Sequence, residues 1–297
     1  MRAPTLALGL APREDGGYGI AVRYRLGVPA ARSIARRVAS EAGRWSTCAA
    51  QGGSARSSGR AARGLVPGRD RAGSGETGRV RPLRPGISIA HVDVTAARSA
   101  RSCSSGASCT RCPTTTCSRA RRARRWATPS CSRGADGGRA PADQVGTLAA
   151  TVPLTPGRTA TVDAAIALLD DPEVDLDYPV GRITTTAVAV GGEAVRKIGR
   201  TTAVTAGRVT AIELDDVVVG YGDELGALRF DDQIEVESTG TGPFSRGGDS
   251  GSLVYREDGV ALGLLFAGSE TGENGTGLTY VNPIDTVLAA LDARLAR

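Results

Sequence analysis

The sequence is poorest in lysine and histidine, with one Lys (Lys197) and one His (His91) among 297 residues, against 36 Arg. Aromatic residues make up only 4% of the chain. No apolar run approaches the ~18 residues that a membrane-spanning helix needs. The apolar start Thr5–Ala11 is short, and charged residues rather than a signal-peptide cleavage site follow it. These absences predict a protein with no membrane partner, and they favour the cytoplasm over secretion.

Cysteine, tryptophan and histidine are all missing from the second half of the chain. All six Cys, both Trp and His91 precede residue 140, in a half that holds 26 Arg against 7 acidic residues. Residues 141–297 hold 11 basic and 24 acidic residues, so the net charge of +6 conceals two halves of opposite sign. Because 40% of the residues are apolar, the chain can bury a core, which excludes disorder throughout.

The acidic half has the pattern of a β-structure. Short β-branched runs separated by Gly, Asp and Asn turn signals, about 8–12 residues apart, are typical of a sandwich or barrel. The runs are Ala187–Val190, Val209–Ile212, Asp216–Val219, Gln233–Glu237, Gly251–Tyr255 and Leu262–Ala267. From Asn282 to Leu295 the apolar residues recur with a helical period, with Asn282 as N-cap and Pro283 in the first turn. The sequence therefore predicts a β-barrel closed by a C-terminal helix.

The most specific motif is the run Gly247–Val254, in which Ser250 is flanked by Gly248, Asp249 and Gly251. A serine on a tight glycine-bounded turn can expose its hydroxyl as a nucleophile. The peptide N–H groups of Gly248 and Ser250 can then point at one spot, where the oxyanion of a tetrahedral intermediate would sit. The same residues also fit a glycine-rich hairpin turn with a capping serine. The apolar strands on either side favour the nucleophile.

The run Gly248–Gly251, followed by two apolar strands and a terminal helix, resembles the chymotrypsin-like (trypsin-type) serine proteases. It is most similar to their bacterial members without disulfides. The resemblance implies an all-β fold, a double β-barrel with a C-terminal helix. It also implies hydrolysis of peptide bonds through an acyl-enzyme on Ser250.

The same resemblance assigns roles to further residues. Asp163, in the run Val162–Leu169, is implied to orient the catalytic histidine, although this run has two residues more than the family's Asp-Ile-Ala-Leu-Leu strand. Asp163 precedes Ser250 by 87 residues, where the triad has about 93; it also fits an ordinary turn aspartate. Asp249 is implied to be structural. Six residues before Ser250, at the pocket floor of the trypsin type, stands Phe244, so the implied specificity pocket does not favour Arg or Lys.

Residue order excludes two other serine-hydrolase arrangements. An α/β-hydrolase needs Gly-x-Ser-x-Gly and a histidine after the nucleophile, but Ser252 stands at the last Gly position and no His follows Ser250. The subtilisin order needs a His between Asp163 and Ser250, and the sequence has none there. One alternative from a different class stays open: a catalytically inactive protein of trypsin fold that binds a partner.

The general base has one candidate, His91, in the run Ser88–Thr95. This run is similar to the family's strand end before the catalytic histidine, but His91 also fits an ordinary half-buried strand position. It lies 72 residues before Asp163, whereas the triad has about 45. The triad spacing points instead to residues near 118, and the run Cys112–Arg119 has no histidine.

A shifted reading frame would explain the missing base. Residues 97–133 hold nine Arg, five Cys and no acid, with no apolar period that a barrel strand needs. The codons of Pro113–Cys117, read one base earlier, permit Ser-Asn-Asn-His-Val, the context of the family's histidine; the His codon would straddle Thr115 and Thr116, 47 residues before Asp163. The codons of residues 45–70 also permit a protein-like sequence when they are read in the shifted frame. We therefore expect a first barrel that is incomplete or disordered in this chain, damaged by two compensated frameshifts.

The basic half is open to three further interpretations. Cys109 and Cys112, with Cys103 and Cys117, could bind zinc, but no second Cys-x-x-Cys pair and no His accompany them. Structural disulfides would lack partners in the acidic half. Arg121–Arg125 resembles a nucleic-acid patch, but 36 Arg to one Lys is more simply a coding bias. We expect no metal, no cofactor and no nucleic acid, and a peptide or protein substrate as partner.

The predicted chain has three parts. Residues 1–85 form an N-terminal extension, in which Gly17–Arg25 alternates like a strand and Ala31–Ala42 like an amphipathic helix. Residues 86–144 form the damaged first barrel, and residues 145–297 form the second barrel with the nucleophile motif and the C-terminal helix. The predicted function is that of a serine endopeptidase, impaired in this chain because it lacks a well-placed histidine.

Overall fold

The computed structural model describes residues 6–25, 28, 30–43, 46–51, 54–55, 80–91, 102–104, 125–127, 144–269 and 276–296. Most of the two windows with a suspected frame, 45–70 and 97–133, lies outside these residues. The shifted codons at Thr115 and Thr116, the Cys109–Cys112 pair and the patch from Arg121 to Arg124 therefore also lie outside the described residues.

The basic half contributes seven strands and one helix to the described part of the chain. They are β1 (Leu6–Pro12), β2 (Tyr18–Arg25), α1 (Ala31–Glu41), β3 (Ser46–Gln51), β4 (Ser54–Ala55), β5 (Ser88–His91), β6 (Ser102–Ser104) and β7 (Arg125–Ala127). The predicted strand at Gly17–Arg25 and the predicted helix at Ala31–Ala42 are thus confirmed within a residue.

The acidic half supplies the remaining elements. The first are β8 (Gln144–Thr151), β9 (Thr159–Ala160), β10 (Ala165–Leu169), β11 (Asp177–Tyr178), β12 (Gly181–Arg182), β13 (Thr185–Thr186), β14 (Ala194–Gly199), β15 (Ala203–Asp215) and β16 (Val217–Gly220). The others are α2 (Gly222–Leu225), β17 (Ala227–Phe230), β18 (Gln233–Ser238), β19 (Leu253–Arg256), β20 (Val260–Ser269), β21 (Leu278–Pro283) and α3 (Ile284–Ala290).

Six strands of the acidic half close into an antiparallel barrel. Their order is β14-β19-β20-β21-β18-β15, and β15 pairs again with β14. Alternating residues fill the interior because successive side chains of a strand point to opposite faces. On β18, for example, Ile234 and Val236 pack inside with Val209, Leu265 and Val281. The predicted all-β fold with a closed second barrel and a C-terminal helix is confirmed.

The C-terminal helix is shorter than predicted, and Asn282 does not cap it. Helix α3 begins at Ile284 and ends at Ala290, its cap position is Pro283, and no side chain caps it. Asn282 lies in β21, where its fully buried amide hydrogen bonds with Asp163 and Gln233. The cap prediction is wrong because the Asn282 side chain forms its hydrogen bonds with residues distant in the sequence.

The predicted strand Ala187–Val190 is also wrong. The N–H of Ala187 donates to the carbonyl of Ala261, but the following residues are irregular and Val188 is 76% exposed. The chain then reverses at Gly191 and Gly192, with φ of 83° and 84°. The apolar run therefore crosses the surface between β13 and β14.

The N-terminal segment extends the barrel sheet. Strand β1 pairs antiparallel with the end of β15, β2 pairs with β1, and β3 runs parallel to β2 after the α1 crossover. One face of this small sheet packs with its alanines, Ala7, Ala11 and Ala21, in the cluster around Phe230 and Tyr280. The predicted N-terminal extension is thus continuous with the second barrel.

A buried ion pair joins this segment to the barrel. Arg23 of β2 donates from Nε and Nη2 to the Glu235 carboxylate of β18 at 2.6–3.0 Å, and both side chains are at most 3% exposed. The Thr210 hydroxyl also donates to Glu235, at 2.8 Å. Because the N-terminal sheet covers this face, β18 is buried on both sides.

Strands β5, β6 and β7 of the predicted first barrel join β8 and β10 in a five-stranded sheet, in the order β10-β8-β7-β5-β6. Strand β8 pairs with β7 on one side and with β10 on the other, although the predicted domain boundary at residue 145 assigns β8 and β10 to the second barrel. The described part of the chain contains no helix long and apolar enough to cross a membrane.

Candidate active site

Ser250 lies in a loop between β18 and β19, at one end of the barrel, and is half-buried. Two turns shape this loop: the N–H of Asp249 donates to the carbonyl of Arg246, and the N–H of Ser252 donates to that of Asp249. Gly248, within the first turn, has φ of 98°, a left-handed conformation that favours glycine. A Cβ on Gly248 would also lie 2.6 Å from the Thr201 Oγ1, so only glycine fits without displacing a neighbour.

Two peptide N–H groups between Gly248 and Ser252 have no hydrogen-bond acceptor in the described part of the chain. From Gly248 to Ser252, the N–H groups of Asp249, Gly251 and Ser252 each donate to a backbone carbonyl, and Gly251 donates to Leu265 of β20. The N–H groups of Gly248 and Ser250 have no acceptor among the described residues. These are the two donors that the sequence analysis assigns to the oxyanion.

The buried carboxylate of Asp249 anchors the nucleophile loop through hydrogen bonds. This fully buried group accepts hydrogen bonds from the N–H groups of Thr201, Thr202 and Arg246 at 2.7–3.2 Å and from the Thr202 hydroxyl at 2.7 Å. The Lys197 ammonium lies 3.4 Å from Oδ2, and the Lys197 side chain is fully buried too. The family resemblance implies a structural Asp249 but does not indicate Lys197 as its cation.

Lys197 belongs to β14, and its ammonium contacts both the nucleophile loop and the turn from β14 into β15. Besides Asp249, its ammonium donates to the Thr202 hydroxyl and to the carbonyl of Ala203 at 3.2 Å. Burial lowers the pKa of Lys197, and the Asp249 carboxylate opposes part of that shift. The one lysine among 36 arginines is therefore an internal counter-ion, and its isolation in the sequence is the signal that could have found it.

Asp163 lies just before β10 and is half-buried. Its N–H donates to the Asn282 Oδ1 at 3.1 Å, and its Oδ2 accepts from the Tyr221 hydroxyl at 2.8 Å. Both partners belong to the acidic half beyond β14, so Asp163 is tied to the body that carries Ser250. No local signal in the sequence marks Tyr221, and the helical pattern from Asn282 to Leu295 assigns Asn282 to a cap.

His91 ends β5, and the described geometry does not bring its backbone near Asp163. The strand register runs from His91 to Trp126, to Gly146 and to Leu169, at the far end of β10. Three strand spacings of about 4.8 Å separate His91 from Leu169, and six residues of about 3.3 Å each lead back to Asp163. The side chain of His91 lies outside the described residues, and no described side chain hydrogen bonds to the Ser250 hydroxyl. His91 as base stays a prediction.

Phe244 is buried, with 1% exposed, and packs in the barrel cluster with Val209 and Val236. Its carbonyl accepts from the Thr205 hydroxyl at 2.7 Å. The neighbouring Ser245 shares a hydrogen bond of 2.7 Å with the hydroxyl of Thr279 on β21. The place of Phe244 in a specificity pocket stays a prediction.

No protein-family model and no curated protein matches the sequence. Among solved structures, the chain resembles a glutamic-acid-specific serine protease (24% identity, covering 72% of this chain and 100% of that chain, TM-score 0.47). It also resembles the Nocardiopsis protease NAPase (18%, 72% and 99%, 0.44) and Thermobifida fusca protease A (20%, 71% and 90%, 0.41).

Proposed function

We propose that this chain is a serine endopeptidase whose nucleophile is Ser250. One observation carries the proposal: the nucleophile loop satisfies the N–H groups of Asp249, Gly251 and Ser252 and leaves those of Gly248 and Ser250 without an acceptor in the described part of the chain. Peptide N–H groups held open by a rigid loop are what a developing oxyanion requires. The buried Asp249–Lys197 pair supplies the rigidity.

The chemistry follows from these groups. The Ser250 oxygen attacks the scissile carbonyl carbon, its proton passes to a base, and the carbonyl oxygen becomes an oxyanion held by the N–H groups of Gly248 and Ser250. Collapse of this intermediate returns the proton to the leaving amine and leaves an acyl group on Ser250, which water removes. Asp163 orients the base, which the proposal assigns to a histidine.

A second candidate function is a non-catalytic binding protein with the same fold. The observation that favours it is the lack of any described side chain bonded to the Ser250 hydroxyl, together with the strand register that places the backbone of His91 three strands away from Leu169. A serine without a base is a weak nucleophile. The two candidate functions differ in whether the Ser250 hydroxyl is reactive.

Labelling of the full chain with a fluorophosphonate, followed by peptide mapping, separates the candidates. The proposal expects the label on Ser250 and its loss in Ser250→Ala. Ser238→Ala is the matched control, because Ser238 is also half-buried on the same barrel, and it should label like the parent.

A second chain, in which residues 97–133 are translated one base out of register, locates the base. Labelling of the parent chain would show that the parent chain itself contains a working base. Labelling of the second chain alone assigns the base to the shifted segment. If neither chain labels at Ser250, the endopeptidase proposal is contradicted and the binding function remains.

A further inference from the structure

Two buried amides clamp the backbone that carries Asp163. The carbonyl of Thr161 accepts from the Gln233 Nε2 at 2.9 Å and from the Asn282 Nδ2 at 3.4 Å. The Asn282 Nδ2 also donates to the Gln233 Oε1 at 2.6 Å, while its Oδ1 accepts from the N–H of Asp163. Both amide side chains are fully buried. Buried polar networks with every member satisfied rigidify what they hold, so the backbone of residues 161–163 is fixed against β18 and β21.

Tyr221 holds the carboxylate itself. Its hydroxyl donates to the Asp163 Oδ2 at 2.8 Å, which restrains rotation of the carboxylate. Tyr221 follows β16 directly, is 7% exposed, and its ring stacks with that of Phe230 at a centroid distance of 6.0 Å. The ring is thus held in a packed cluster, and its hydroxyl is delivered to Asp163 from a rigid support.

The same framework reaches the nucleophile loop through β20. Asn282 of β21 pairs with Leu264, and the next residue, Leu265, accepts from the N–H of Gly251 and donates to the carbonyl of Ser252. Asp163 and Ser250 therefore rest on neighbouring positions of one strand pair. Removing a hydrogen bond that holds Asp163 should therefore alter the alignment of its carboxylate with Ser250.

We infer that Tyr221 is a positioning residue: its hydroxyl sets the orientation of the Asp163 carboxylate on a backbone that Asn282 and Gln233 hold fixed. The inference rests on the proposed function, since it concerns the carboxylate that orients the catalytic base. Tyr221 acts through Asp163 and does not itself touch the reacting atoms. Loss of its hydroxyl should slow the chemical step without weakening the binding of a ligand at Ser250.

The test measures the labelling of Ser250 by a fluorophosphonate in the full chain as a function of probe concentration, giving kinact and KI. We expect Tyr221→Phe, which keeps the ring, to lower kinact about tenfold or more and to leave KI unchanged, because small misplacements of a catalytic group cost up to ~100-fold. Tyr255→Phe is the matched control: that tyrosine is fully buried, and its hydroxyl has no hydrogen-bond partner in the described part of the chain. It should leave kinact unchanged.

Combining Tyr221→Phe with Asp163→Asn tests whether Tyr221 acts through the Asp163 carboxylate. If Tyr221 acts through Asp163, adding Tyr221→Phe to Asp163→Asn changes kinact by less than about twofold, since coupled residues are non-additive. The inference is overturned if Tyr221→Phe labels at the parent's rate, if the tenfold loss persists in Asp163→Asn, or if Tyr255→Phe shows the same loss. If neither the parent chain nor the chain with residues 97–133 in the shifted frame labels at Ser250, the proposed function itself is contradicted. In whichever of the two chains labels, an unaffected Tyr221→Phe contradicts only this inference.

Discussion

Replacing Lys197 by Met should remove the counter-ion of Asp249 while keeping most of the side-chain volume. Removing one partner of a buried ion pair costs about 3–5 kcal/mol, because the other charge stays buried. Asp249 keeps four hydrogen-bond donors, from Thr201, Thr202 and Arg246, so the lower end, about 3 kcal/mol, is expected. At about 2–4 °C per kcal/mol for a protein of this size, the thermal midpoint falls by about 6–12 °C.

Thermal unfolding at pH 7 by circular dichroism measures this loss against a neighbour on the same strand. Arg196→Met removes an ion pair with Glu257 in which the side chains are 41% and 63% exposed, so it should cost less than about 1 kcal/mol. Lys197→Met in an Asp249→Asn background should cost less than in the parent, because no buried charge remains. Equal losses for Lys197→Met and Arg196→Met would refute the assignment of Lys197 as counter-ion.

Three further changes probe other parts of the molecule. Arg23→Met should lower the free energy of unfolding in urea by about 3–5 kcal/mol, because it leaves the Glu235 carboxylate buried without its cation; a loss below 1 kcal/mol would contradict this. Burial and the Glu235 carboxylate raise the pKa of Glu237, so the folded state loses stability as pH rises above the ordinary value of 4.5. Glu237→Gln should therefore raise the thermal midpoint at pH 7 and leave it unchanged well below pH 4.5; an equal gain at both pH values would disprove the cause. Gly248→Ala should slow fluorophosphonate labelling about tenfold or more, because a Cβ would strain the loop that presents the oxyanion donors; an unchanged labelling rate would show that Gly248 is not needed there.

Local pattern was enough to predict most strands of the barrel, and it also marks Ser250 as the candidate nucleophile. The alternation at Ile234 and Val236 identifies β18 without any tertiary information, because a strand that faces a core repeats every second residue. Ser250 is similarly marked by the glycines on either side of it. Both features depend on a few consecutive residues. In the described loop, the N–H groups of Gly248 and Ser250 are without an acceptor, which is the arrangement that the motif predicts.

The supports of the site could not be predicted in this way. Lys197 and Asp249 are 52 residues apart, Arg23 and Glu235 are 212 apart, and Asn282 reaches Asp163 across 119 residues. A buried charge or amide reads as a surface residue, or as a helix cap, until the fold brings its partner to it. For this reason Asn282 was assigned to a cap, and Lys197 was overlooked although it is the only lysine.

The most direct measurement is the mass of the intact protein after acid quench of its reaction with an activated peptide ester. If Ser250 is the nucleophile and the N–H groups of Gly248 and Ser250 hold the oxyanion, the quenched protein gains one acyl group, which peptide mapping places on residue 250. Ser250→Ala then gains none. An acyl group elsewhere, or the same gain in Ser250→Ala, would contradict the assignment of Ser250.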